Sequence, residues 1–95
     1  MKASNPATEQ LPLASMITGS QIRAGRSLLR WTAQDLAQRS GVSHQAIHRA
    51  EQADGTPSML ARNLELITRA LESGGVVFLD PGETKSGGAG VRLHG

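Results

Sequence analysis

The sequence predicts a small, mainly α-helical domain that ends in a pair of short β-strands. Three observations carry this reading. Between Thr18 and Ser73 apolar residues recur at intervals of three and four, the helical period, in four separate stretches. Those stretches are divided by residues that end and restart helices: Thr32, then Gly41 with Ser43, then Asp54 and Gly55 with Thr56 and Pro57. After Gly74 and Gly75 the pattern changes to the apolar, β-branched run VVFL at 76–79, with VRL following at 91–93.

Each element has a local cause. Residues 1–17, with Pro6 and Pro12 among small polar residues, show no sustained periodicity and are expected to form a disordered tail. With Lys2 and no arginine, that tail is a poor basic arm. Thr18 and Gln21 have capping-box spacing, and Ile22, Gly25 and Leu29 then share a face, so a first helix is expected at 19–30, with Leu28 and Trp31 adding to the core. Thr32 can cap a second helix at 33–40, in which Asp35 suits the positive end of the helix dipole and Leu36, Ala37 and Ser40 face inward. Gly41 ends that helix, Val42 turns inward, and Ser43 caps a third helix at 44–53. A fourth helix is expected at 57–73, with Pro57 in its first turn and Leu60, Leu64, Ile67 and Leu71 along one face. Residues 75–95 form a ribbon whose strands flank a Gly-rich loop from Asp80 to Gly90. A lone two-stranded ribbon is marginal in water, so it should pack on the helical body or pair with a second chain, and a homodimer is expected.

Composition narrows the function classes. A chain of 95 residues with one Phe, one Trp and no Tyr can bury one small core. The net charge is only +2, yet the stretch Gln21–Ala50 holds five arginines against Asp35 alone. That segment therefore carries +4 and the remainder −2, which concentrates the positive field on the first three helices. No cysteine is available for a disulfide or a zinc-thiolate site. No run approaches the roughly 18 apolar residues of a membrane span and no signal-peptide core is present, so a cytoplasmic protein is expected. His44 and His48 stand i,i+4 like a zinc-binding pair, but Gln45 occupies the place of the catalytic glutamate and no third ligand follows. Gly87, Gly88 and Gly90 precede a strand rather than the helix that a phosphate cradle needs. An enzyme is not expected, nor a metal or cofactor.

The informative stretch is Thr32–Gln52, two short helices joined by the turn Gly41–Ser43. On the second of these helices Ile47, Ala50 and Glu51 share one face, while His44, Gln45, His48, Arg49 and Gln52 lie on or near the other. Such a face could simply be solvated. A helix face selected only for solubility typically carries Glu and Lys in i,i+4 pairs, however, and this one carries His, Gln and Arg. Gln can bridge an adenine edge and Arg the O6 and N7 of guanine, and the i,i+4 spacing of Gln45 and Arg49 lets both enter one groove. The pattern is that of a helix-turn-helix, and its expected ligand is double-stranded DNA.

From Gln21 to Ser73 the chain resembles the Cro and phage-repressor family of helix-turn-helix regulators, the XRE family. The matching elements are Arg26 in RSLLRW, the segment Thr32–Ala37, the GVS turn, Ile47, and Glu51. The resemblance implies a four-helix lambda-repressor-like DNA-binding domain and a transcriptional regulator, a repressor in this reading, at an inverted-repeat operator. It implies base contacts from His44, Gln45 and Arg49, and a structural ion pair between Arg26 and Glu51. Thr32, Gln34, Ser43, His48, Gln52 and Arg39 are secondary candidates for DNA or phosphate contact. Many members carry a glutamine that touches a phosphate where this chain has Ala33, with Gln34 one step on. The family pattern is also left behind after Ser73, where a ribbon replaces a fifth helix. An alternative is therefore an antitoxin-type autoregulator that captures a partner protein through the ribbon by strand addition.

Overall fold

The computed structural model describes residues 17–80 and 88–94. Four helices, α1 (Gly19–Leu28), α2 (Ala33–Ser40), α3 (His44–Glu51) and α4 (Ala61–Ser73), precede two strands, β1 (Val76–Leu79) and β2 (Gly90–Leu93). The strands pair antiparallel with Val76 opposite Leu93 and Leu79 opposite Gly90. The expected tail at 1–16, the loop at 81–87 and Gly87 of the glycine cluster lie outside the described residues.

The helices start where side chains can take up orphan amides. Thr18 and Thr32 each build a reciprocal capping box: the threonine hydroxyl accepts from the amide three residues on, and Gln21 or Asp35 accepts from the threonine amide. Each such cap contributes about 1 kcal/mol. The buried faces then meet in one core, in which Ile22, Leu36, Ile47, Ile67 and Leu71 are completely enclosed. Helix α4 lies across α1 and α2 and also supports β1.

Several boundaries differ from the sequence expectation. Ile17, assigned to the tail, is buried in the core at 2% exposure, so the ordered body begins before the first cap. Helix α1 ends at Leu28 rather than at residue 30, because the chain turns at Leu29 and Arg30 takes a left-handed conformation with φ 60°. Leu28, expected in the core, is 40% exposed, off the stripe of Ile22, Gly25 and Leu29 that faces inward. Helix α3 stops at Glu51, two residues short of the expected end. The largest correction concerns α4, which begins at Ala61 instead of Pro57. Pro57 is buried in the preceding loop, and the amide of Met59 donates to the Pro57 carbonyl at 3.1 Å, which bends the chain away from a helical turn. Leu60 becomes an N-cap without a capping side chain and is 72% exposed, although its spacing suits the core.

The ribbon packs on the helical body. Val76 is buried, and its side chain reaches the surface of α1 at Gly25, where an added Cβ would lie 3.4 Å away. Gln21 holds the other end: its Nε2 donates to the carbonyls of Leu79 and Gly90 at 3.3 and 3.0 Å, while its Oε1 completes the α1 cap. One buried amide thus joins the start of α1 to both strands.

Candidate nucleic-acid interface

The turn between α2 and α3 is fixed by three backbone-directed bonds. Gly41 adopts φ 79°, a conformation that costs a residue with a Cβ about 1–2 kcal/mol, and its amide donates to Ala37 at 2.9 Å. The Ser40 hydroxyl accepts from the Val42 amide and the Ser43 hydroxyl from the Ala46 amide, both at 3.1 Å. Val42 is buried, which sets the direction in which α3 leaves the turn.

The inner face of α3 is then pinned along its length. Ile47 is fully buried and Ala50 nearly so. Glu51, 6% exposed, receives a two-pronged ion pair from Arg26, with Nε to Oε2 at 2.8 Å and Nη2 to Oε1 at 3.0 Å. The hydrogen bond to Glu51 is the main reason that the Arg26 guanidinium is held above its ordinary pKa, outweighing desolvation. The third corner of the same guanidinium donates to the Trp31 carbonyl at 3.0 Å. Arg23 donates to the Glu51 backbone carbonyl, so a cation also meets the negative end of the α3 dipole. On the far side, Gly19 brings α1 so close that an added Cβ would clash with the Ala50 carbonyl oxygen. Sequence reasoning found the Arg26–Glu51 pair through the family resemblance. It missed Gly19 and Arg23, which carry no local signal because their partners lie on another helix.

The outer face is free. His44, Gln45, His48 and Arg49 are all exposed and line a shallow concavity of about 420 Å³. Their side chains make no hydrogen bond or ion pair among the described residues. Gln45 offers an acceptor and two donors, and Arg49 offers a planar fork of donors. Arg49 also borders a second concavity of about 700 Å³ that includes Gln52, Met59, Leu60 and Asn63.

The secondary candidates divide by what already occupies them. Thr32 and Ser43 use their oxygens as caps but are exposed, so their hydroxyl protons remain available to an acceptor. Gln34, His48 and Gln52 are exposed. Arg39 lies over the Trp31 ring, 4.4 Å from its centroid, a cation–π contact. The Trp31 ring edge in turn lies against Gly74, where a Cβ would be 2.9 Å from the ring, so the indole packs between helices as expected. At the start of α2 the Asp35 carboxyl is held below the usual carboxylate range by its bonds from the Thr32 backbone and side chain. Among the described residues no group of three His, Cys, Asp or Glu side chains gathers in a metal-binding arrangement. No described helix is long and apolar enough to cross a membrane. No protein-family model matches the chain, and no curated protein matches it significantly.

Proposed function

We propose that this protein is a cytoplasmic, sequence-specific transcriptional regulator of the XRE type that places α3 in the major groove of double-stranded DNA and represses by occupying its operator. One observation carries this reading: α3 is immobilised through its inner face and both ends, while His44, Gln45, His48 and Arg49 on the outer face have no partner among the described residues. A helix held this rigidly binds at low entropic cost, because its polar side chains are presented on a preformed backbone. Gln45 and Arg49 are the principal base readers, His44 lies at the start of the helix beside them, and His48 and Gln52 reach the flanks. Each good bidentate contact discriminates between bases by about 1–3 kcal/mol.

A single recognition helix reads too few base pairs to find one site among a genome's competitors, and a two-fold dimer combines two half-sites. The ribbon is the proposed means of association, through the end of β2 where Arg92 and Leu93 are exposed. Selection of preferred duplexes from a random pool tests the whole proposal. The expected product is an inverted repeat with half-sites about one helical turn apart, bound by two chains. A pool that yields no enriched sequence would sink the reading.

A further inference from the structure

Among the described residues, Arg30 is the non-glycine residue with a positive φ, at 60°. That conformation is strained for a residue with a Cβ, whose side chain crowds the following carbonyl, a penalty glycine escapes. The turn itself asks only for backbone: the Arg30 amide donates to the Ser27 carbonyl at 3.0 Å. The Arg30 side chain is exposed and makes no hydrogen bond or ion pair with any described residue. Nothing in the fold repays an arginine here, and glycine would suit the backbone better.

The other arginines of α1 to α3 sharpen the point. Arg23 and Arg26 are engaged by Glu51, and Arg39 lies on Trp31. That leaves Arg30 and Arg49 as the cations of this segment without a partner among the described residues, and Arg49 is on the outer face of α3. The backbone next to Arg30 is tied to the end of α3. The Arg26 guanidinium bonds the carbonyl of Trp31, the next residue after Arg30, at one corner, and the Glu51 carboxylate at the end of α3 at its other two. One planar group therefore couples the position of this turn to the position of the recognition helix.

We propose that Arg30 is a DNA-backbone contact, an exposed guanidinium on the turn between α1 and α2 that takes a phosphate of the same duplex whose bases α3 reads. The inference rests on the DNA reading of α3 given above. A phosphate contact of this kind fixes register and adds affinity without carrying sequence information. It also accounts for a charge retained at a strained position, since local backbone strain is characteristically kept where a side chain has work to do.

The test compares wild type with Arg30→Gly, Arg30→Asn and Arg30→Lys, measuring thermal unfolding and the affinity for a selected and a random duplex at several salt concentrations. Gly and Asn both tolerate the left-handed conformation, so those variants should be at least as stable as wild type. Both should bind the two duplexes more weakly by a similar factor, on the order of 3- to 10-fold at low salt, with the salt slope reduced by about 0.9. Arg30→Lys, which keeps the charge, should restore most of the affinity. Unchanged affinity and slope in Arg30→Gly and Arg30→Asn would overturn the proposal, as would a loss in Arg30→Lys as large as in Arg30→Gly. Those results leave the DNA reading standing, whereas a wild type that binds neither duplex defeats both.

Discussion

The two faces of α3 are built to opposite rules. On the inner face the polar groups are matched, the Glu51 carboxylate by the Arg26 fork and its carbonyl by Arg23, and the α1 backbone at Gly19 closes sterically against the Ala50 carbonyl. On the outer face His44, Gln45, His48 and Arg49 hold a comparable density of donors and acceptors with no match among the described residues. Polar residues on the first face fix the helix, and those on the second are left open to solvent. The difference is not visible in residue type, since both faces use charge; it lies in which side chains another helix can reach.

Breaking the inner face should cost stability, and the largest effect is expected at the closest approach. Gly19→Ala forces backbone apart from backbone at a contact that no side-chain rotation relieves. It should destabilise by about 3 kcal/mol or more, beyond the usual range for an added methyl group, and urea unfolding measures it. A midpoint equal to that of wild type would mean that α1 and α3 do not approach as described.

Next in size is the ion pair. Arg26→Ala leaves the Glu51 carboxylate buried with its ion-pair partner gone and also frees the Trp31 carbonyl, a loss of about 3 kcal/mol. The double variant with Glu51→Ala should be less damaged than the sum of the two single variants, because the unpaired charge disappears with it. Strict additivity would show that the two side chains act independently.

The outer face should respond in the opposite manner. Arg49→Ala ought to leave unfolding within about 0.5 kcal/mol of wild type, as for an exposed side chain without partners, while costing about 1–3 kcal/mol of binding to the preferred duplex. An equal loss on preferred and random duplexes would assign Arg49 to the phosphate backbone instead of the bases.

The smallest effect concerns acid. Asp35 has a folded-state pKa below its unfolded value, so its contribution is complete above the unfolded value and is lost as pH falls through the lowered one. The Asp35→Asn variant should therefore differ from wild type at neutral pH and converge on it in strong acid. A difference that persists unchanged at low pH would show that the amide, and not the charge, is responsible. Neither face of α3 should notice, since this cap lies at the other end of the helix pair.

How much of this was legible in the sequence follows from the range of the interactions. Thr18, Thr32 and Ser43 were readable as caps because their partners lie three residues on, and Gly41 because only a left-handed residue turns α2 into α3 so tightly. The buried set of α2, α3 and the later part of α4 followed from the 3.6-residue period. The same period misled at Leu60, where apolar spacing continued through a loop that Pro57 and Met59 bend away from the helix. Leu28, added to the core although it lies off the stripe of Ile22, Gly25 and Leu29, is exposed, while Leu29 packs on the core.

The candidate interface divides along the same line. Its outward residues could be named from the helical wheel, and the Arg26–Glu51 pair from family resemblance. The other long-range ties could not: Arg23 reaches the Glu51 carbonyl of α3 28 residues away, and Gln21 ties α1 to the ribbon carbonyls 58 and 69 residues away. The sequence by itself determined the four helices, the turn between α2 and α3 and the two faces of α3, since periodicity, caps and a left-handed glycine act within about one helical turn. Only the tertiary structure decided the docking of the ribbon, the need for Gly19, the left-handed arginine before Trp31 and the true start of α4. The ribbon and Gly19 depend on which backbone atoms distant segments bring within reach, a distance that a linear pattern does not encode, while Arg30 and the start of α4 rest on tight local turns that apolar spacing does not mark.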